Sequence, residues 1–263
     1  MTDSSRPCWV LLRGLGREAA HWGDFAERCA QTLGARVICL DLPGSGRLYR
    51  ERSPESIEGL RQAAAEQLMQ QLPAGEPFSL LGISLGGMVA LDWAVHEPER
   101  VQALVLANAS SRLSPIRQRL KVASLKTVLV CLFDQDALRC ERRIVRMVSN
   151  IRRDDEALIR AWQEIQSQRP VSKANLLRQL KAAGRYQLTQ KPRCPVLVAT
   201  SKADRMVSHQ CSVRLAEYLS AALVVHDTAG HDIALDAPKW LLERMAAWQP
   251  AAPAGEFSVV APQ

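Results

Sequence analysis

The stretch Phe78-Ser79-Leu80-Leu81-Gly82-Ile83-Ser84-Leu85-Gly86-Gly87-Met88-Val89-Ala90-Leu91 constrains the fold of this chain more than any other. An apolar run of strand length meets a glycine-rich corner. Beyond it, Met88, Val89, Leu91, Trp93 and Val95 continue without a breaker until Pro98, so the pattern predicts strand, tight turn, helix. Gly82-Ile83-Ser84-Leu85-Gly86 sets glycine two residues before and two after a serine. That spacing leaves room for a strained turn with φ > 0, which lifts the serine hydroxyl clear of the backbone. A glycine-rich turn with an idle serine has the same residues, but the position between a buried strand and a helix favours a reactive one.

The chain of 263 residues is long enough for one large domain, or for a core domain with an insertion. No stretch approaches the length of a membrane span, and residues 1–7 are polar and run into an apolar strand without a signal-peptide pattern. The expectation is a cytoplasmic protein. Seven cysteines, at 8, 29, 39, 131, 140, 194 and 211, are odd in number and include no Cys-x-x-Cys pair, as expected of reduced thiols. The net charge of +7 is unevenly spread: residues 112–190 hold 17 Lys+Arg against 7 Asp+Glu, a net +10, and the remainder is −3. A basic insert sits on a mildly acidic body.

Taken in order, residues 8–12 predict a first strand feeding the loop Arg13-Gly14-Leu15-Gly16, and 18–33 are helical in period with Gly34 as a stop. Residues 36–41 read as a second buried strand, followed by the turn Leu42-Pro43-Gly44-Ser45-Gly46 and a helix over 57–72. After the Ser84 helix, 101–107 form another near-continuous apolar strand, and 195–200 and 222–225 extend the series. Strands that are apolar on both faces and alternate with helices predict an α/β fold with a parallel sheet covered on each side. An amphipathic helix over 235–248 closes the chain, and 250–263, rich in Pro and Ala, is expected to be a disordered tail.

A serine hydroxyl is a poor nucleophile near neutral pH. It needs an imidazole to take its proton and a carboxylate to fix the imidazole's tautomer. In a parallel sheet the active groups gather beyond the carboxyl ends of the strands, so the partners should follow two later strands. Asp204 follows the strand at 195–200, and His231 follows the one at 222–225 in Thr228-Ala229-Gly230-His231-Asp232. Asp232 and Asp134 are alternatives for the acid.

Several of these motifs, in this order, resemble the α/β-hydrolase fold. The resemblance runs from about residue 8 to 248 and rests on Asp41-Leu42-Pro43-Gly44-Ser45-Gly46, Gly82 to Gly87, Pro98-Glu99-Arg100-Val101-Gln102-Ala103-Leu104-Val105-Leu106 and Ala229-Gly230-His231. It implies a serine hydrolase with Ser84, Asp204 and His231 as catalytic residues. Oxyanion donors would be the amides of Leu85 and of Leu15, which follows Gly14. Where the family usually has His-Gly after the first strand, this chain has Arg13-Gly14. Arg13 then either sets a cation beside the oxyanion hole or pairs structurally with a carboxylate. Ser201 stands where a glycine often precedes the acid's loop, and the sheet is expected to hold six strands.

The resemblance divides the chain into core (1–111), helical cap (112–190), core (191–249) and tail (250–263). Within the insert, 120–133, 138–151, 157–168 and 174–183 read as helices. Arg139, Arg142, Arg143 and Arg146 fall on one helical stripe: either a solvated face or, through Arg142 and Arg146, a binding surface. The insert is similar in composition and position to that of pimeloyl-acyl-carrier-protein methyl ester esterases, which hold an acidic carrier protein. A small-molecule ester is the expected substrate, with an acidic acyl carrier protein or a CoA-linked acyl group as a further option. No cofactor or metal is expected, because neither ligand spacings nor phosphate-binding loops occur; no nucleic acid partner, because the basic charge lacks interleaved aromatics; and no membrane partner, because no stretch is long enough to span one. Thioester or C–C bond cleavage would use the same residues, and a non-catalytic small-molecule receptor would keep the same fold.

Overall fold

Six strands, β1 (Cys8–Leu12), β2 (Arg36–Leu40), β3 (Phe78–Ile83), β4 (Val101–Ala107), β5 (Val196–Ser201) and β6 (Ala222–His226), form one parallel sheet in the order β2-β1-β3-β4-β5-β6. The computed structural model describes residues 6–248, so the tail expected at 250–263 lies outside the described residues. Between the strands run α1 (Phe25–Leu33), α2 (Ile57–Met69) and α3 (Leu85–His96). The segment between β4 and β5 forms α4 (Ile116–Arg119), α5 (Val122–Phe133), α6 (Ala137–Val148), α7 (Glu156–Gln168) and α8 (Lys173–Arg185). After β5 come α9 (His209–Leu219), α10 (Ile233–Asp236) and α11 (Pro238–Ala247). Among the described residues no helix is long and apolar enough to cross a membrane.

The central strands read as unbroken apolar runs because successive side chains enter two different cores. Val10, Leu12, Leu80, Leu104, Leu106 and Val198 pack with Leu60, Val89, Trp93 and Leu215 from α2, α3 and α9. Leu11, Leu81, Ile83, Val105, Leu197 and Ala199 pack with Phe25, Cys29 and Leu241 from α1 and α11. Two expected helices are broken. The one over 18–33 is a short 3-10 turn, Ala19–Trp22, then α1, because Gly23 adopts φ 54° between them. The closing helix is split into α10 and α11 by Pro238, which has no amide to continue α10 and instead opens α11.

The strand order fixes where a site can form. From β1 the chain moves outward to β2, then returns to β3 on the other side of β1, so connections leave β1 and β3 in opposite directions and open a crevice at their carboxyl ends. Ser84 ends β3 at this crevice, with φ 56° and ψ −114°, and α3 starts at the next residue. The flanking glycines are needed for close packing: a Cβ on Gly82 would lie 2.3 Å from the Gly86 carbonyl oxygen, and one on Gly86 would lie 2.3 Å from that of Leu12.

Helices α5 to α8 are tied to the core by polar side chains that the hydrophobic pattern does not reveal. Gln179 of α8 accepts from Gly16 N at 3.0 Å and donates to the Pro43 carbonyl at 3.3 Å and to Ser45 Oγ at 3.2 Å. Asn175 accepts from Ser53 N at 3.0 Å and donates to the Glu51 carbonyl at 2.8 Å. Arg169 binds the buried Glu18 through Nε at 2.9 Å. Arg17 donates to Glu141 of α6 at 2.9 Å, and its guanidinium also lies 3.0 Å from His21 Nε2 and over the Trp162 ring. Burial, with the Arg17 and Arg13 cations beside it, pushes His21 well below the ordinary histidine range.

Two outcomes are expected. Gly86→Ala destabilises by about 3 kcal/mol or more because backbone must move, whereas Gly184→Ala, at a helical position with no atom within 4 Å of the added Cβ, stabilises by up to about 1 kcal/mol. Urea midpoints at unchanged m-value separate the two, and equal effects would contradict the packing described. The second concerns His21, which stays neutral when folded but binds a proton when unfolded as pH falls through about 6.5. The unfolded state then holds more protons, so stability drops toward acid. His21→Gln removes this part of the slope between about pH 7 and 5.5, and parallel curves for the two proteins would refute it.

Candidate active site

Ser84, His231, Gly14 and Leu15 line one cavity of about 450 Å³, walled on the other side by residues of α5, α6, α7 and α8. Gly14 lies beside Ser84: a Cβ there would stand in ordinary van der Waals contact, 3.4 Å from Ser84 Cβ and 3.9 Å from its Oγ. His231 Nδ1 and Asp204 Oδ2 are 2.7 Å apart, with both side chains buried. A carboxylate only accepts, so Nδ1 carries the proton and Nε2 is left as the acceptor. His231 Nε2 is buried and has no hydrogen-bond partner. His231 lines the same cavity as Ser84 without a hydrogen bond to it, and a free Nε2 is the form a base needs.

Asp204 is held rigidly by its other oxygen, which accepts from Met206 N at 2.7 Å and Val207 N at 2.9 Å. Of the alternative acids, Asp232 is taken up by Arg13, which donates to it through two nitrogens at 3.2 and 2.5 Å. Asp134 is bound by Arg143 and Arg139, which hold its carboxyl well below the usual range. The two cavity thiols are poor nucleophiles, because burial pushes Cys131 up to about 12 and raises Cys140 as well.

Gly14 lies beside Ser84 and Leu15 lines the same cavity, and Leu85, the first residue of α3, has an amide of the kind a helix leaves without an internal partner. Arg13 takes the structural one of its two roles: it is buried, paired with Asp232 and stacked 4.7 Å from the centre of the Trp22 ring. Arg142 and Arg146 do not line the cavity. They lie on the outer side of α6, where Arg142 binds Glu156 and Arg146 Nε donates to Asp154 at 2.7 Å. With Arg139 and Arg143 on Asp134, every arginine of the stripe is in an ion pair.

Three residues position the loops of Asp204 and His231, and of these only Ser201 stands out in the sequence. Asn108, at φ 45° after β4, accepts from Ser201 N at 3.0 Å and donates to the His231 carbonyl at 2.8 Å, joining the loops of acid and base. Ser201, at the position that departs from the usual glycine, donates to the Ala229 carbonyl and adds a second tie. Asp236 accepts from Gly230 N at 2.7 Å and from Asn150 N at 2.8 Å, fixing the histidine loop to the end of α6. Asn108 in a polar run after a strand and Asp236 inside a short helix carry no local signal, because their partners lie far away in sequence.

Compared with known proteins, the chain matches the family model described as alpha/beta hydrolase fold over residues 10–238. It is 28% identical over 249 residues to RutD of Agrobacterium fabrum, which carries the provisional name carbamate hydrolase, with 90% of each chain covered. It is 39% identical over 105 residues to a pimeloyl-[acyl-carrier protein] methyl ester esterase of Aeromonas salmonicida, covering 40% of this chain and 38% of that one. The solved 2-hydroxy-6-oxo-6-phenylhexa-2,4-dienoate hydrolase of Rhodococcus sp. strain RHA1 superposes with a TM-score of 0.73 at 24% identity, over 93% of this chain and 91% of that one. By the family match and by its own sheet order, the chain belongs to the alpha/beta hydrolase fold family.

Proposed function

We propose that this protein hydrolyses a carboxylic ester through an acyl-enzyme on Ser84. The observation that carries the reading is the pairing of His231 Nδ1 with Asp204 while Nε2 stays unpartnered in the cavity that holds Ser84. In the acylation step Ser84 Oγ forms a bond to the ester carbonyl carbon as its proton passes to His231 Nε2. The amides of Leu15 and Leu85 hold the resulting oxyanion. The C–O bond to the alcohol then breaks, and the imidazolium returns the proton to the leaving oxygen. Water, deprotonated by the same imidazole, attacks the acyl carbon, and the free acid leaves with Ser84 regenerated.

The cavity speaks to the substrate class. Leu132, Ile144, Met147, Val148, Trp162 and Leu176 are among its walls, and about 450 Å³ is the size of site that encloses an organic molecule rather than a small polar one. An ester with a sizeable apolar acyl or alcohol group suits such walls better than a small carbamate. A thioester has the same electrophilic carbonyl and follows the same steps. A carrier-protein partner has less support, since the arginine stripe that suggested it is compensated by Asp134, Asp154 and Glu156. Seven unpaired thiols support a reducing compartment such as the cytoplasm.

On p-nitrophenyl esters, Ser84→Ala is expected to abolish turnover, and Asp204→Asn to lower kcat by about 10⁴ with the fold intact by circular dichroism. Turnover that survives Ser84→Ala would overturn the assignment. A wild-type protein that binds such esters but never releases p-nitrophenol would favour a receptor instead.

A further inference from the structure

Helix α5 is apolar on opposite sides. Ser124, Val128 and Leu132 recur every four residues and face inward, with Val128 and Leu132 lining the cavity. On the far side Val122, Leu125, Leu129 and Phe133 are exposed, Phe133 at 79%, and Ile116 of α4 adds to the strip at 65%. A helix that is apolar all round belongs against another apolar phase, and single exposed apolar residues are ordinary where a contiguous strip is not.

The charge around the strip tells what that phase is. Residues 112–133 hold Arg112, Arg117, Arg119, Lys121 and Lys126 and not one Asp or Glu. Arg119 and Lys121 are used internally, on the carbonyls of Ala183 and Asp204. Arg112, Arg117 and Lys126 are exposed and form no ion pair among the described residues. The arginines of α6, by contrast, all face carboxylates, so the exposed cations beside the apolar strip lack the compensation that those of α6 have.

We propose that α4 and α5 form a docking surface for an anionic lipid bilayer. The helix lies in the interface, with Val122, Leu125, Leu129 and Phe133 at the acyl boundary and Arg117 and Lys126 among the headgroups. A second copy of the chain seated on this face would bring the same cations together, whereas acidic headgroups neutralise them. The lack of a membrane-spanning stretch argues against a span only; a helix lying in the interface needs none. Because α5 is also a wall of the cavity, lipid contact and the chamber of Ser84 are separated by one helix.

The test is co-sedimentation of the full chain with vesicles of phosphatidylcholine plus phosphatidylglycerol, and with phosphatidylcholine alone. Binding is expected for the anionic vesicles, weaker for the neutral ones, and falling as salt screens the cations. Leu125→Asp with Leu129→Asp should lower partitioning by about tenfold or more, and Arg117→Glu with Lys126→Glu should remove the preference for anionic lipid. Circular dichroism should stay unchanged in both. Turnover of a soluble p-nitrophenyl ester should stay within about twofold. The vesicle result does not depend on the role of Ser84. No binding to either vesicle, or binding that the double aspartate variant retains, would overturn the proposal. So would a dimer in sedimentation velocity that this variant dissolves, which would give the face to a second copy.

Discussion

Everything at the centre of this molecule depends on how closely α3 approaches β1 and β3. A side chain on Gly82 would stand 2.3 Å from the Gly86 carbonyl oxygen in the first turn of α3, and one on Gly86 would stand 2.3 Å from the Leu12 carbonyl oxygen at the end of β1, so only hydrogen fits at both positions. That contact holds Ser84 at φ 56° and sets it at the mouth of the crevice where the strand order reverses. Backbone strain of this kind costs on the order of 1–3 kcal/mol and persists where the surroundings determine it fully. Here the two glycines and two buried cores determine it.

A second layer of order comes from polar side chains far apart in sequence. Asn108 joins the loops of Asp204 and His231, and Asp236 clamps Gly230 to the end of α6. Gly230 itself packs so tightly that a Cβ would lie 2.4 Å from the Val148 carbonyl oxygen. The histidine loop is therefore braced from both sides: by the sheet through Asn108, and by the helical insert through Val148 and Asp236. Its ring is positioned by contacts with α6 as much as by the core.

The strands, their parallel direction and the Ser84 corner were legible because they rest on local pattern: unbroken apolar runs, glycine spacing and helix stops. The pairing of Asp204 with His231 was legible because a serine nucleophile would require an acid and a base beyond later strands. What local pattern could not carry was pairing. Arg142 and Arg146 look like a free basic surface in the sequence, yet Glu156 and Asp154 meet them from the next helix and the loop before it. Arg13 departs from the usual residue at its position, but its partner Asp232 lies 219 residues away. The break at Gly23 was missed because helical period continues across a glycine that bends the chain.

In the proposed reaction Ser84, the Leu15 and Leu85 amides and His231 act on one carbonyl. The most direct test is the crystal structure of the chain inactivated by a p-nitrophenyl alkylphosphonate, whose phosphorus stands in for the tetrahedral carbon. A bond from Ser84 Oγ to phosphorus is expected, with a phosphoryl oxygen about 2.7–3.1 Å from both amides. His231 Nε2 should lie within hydrogen-bond reach of the serine oxygen. An adduct on any other residue, or a phosphoryl oxygen turned away from both amides, would contradict it.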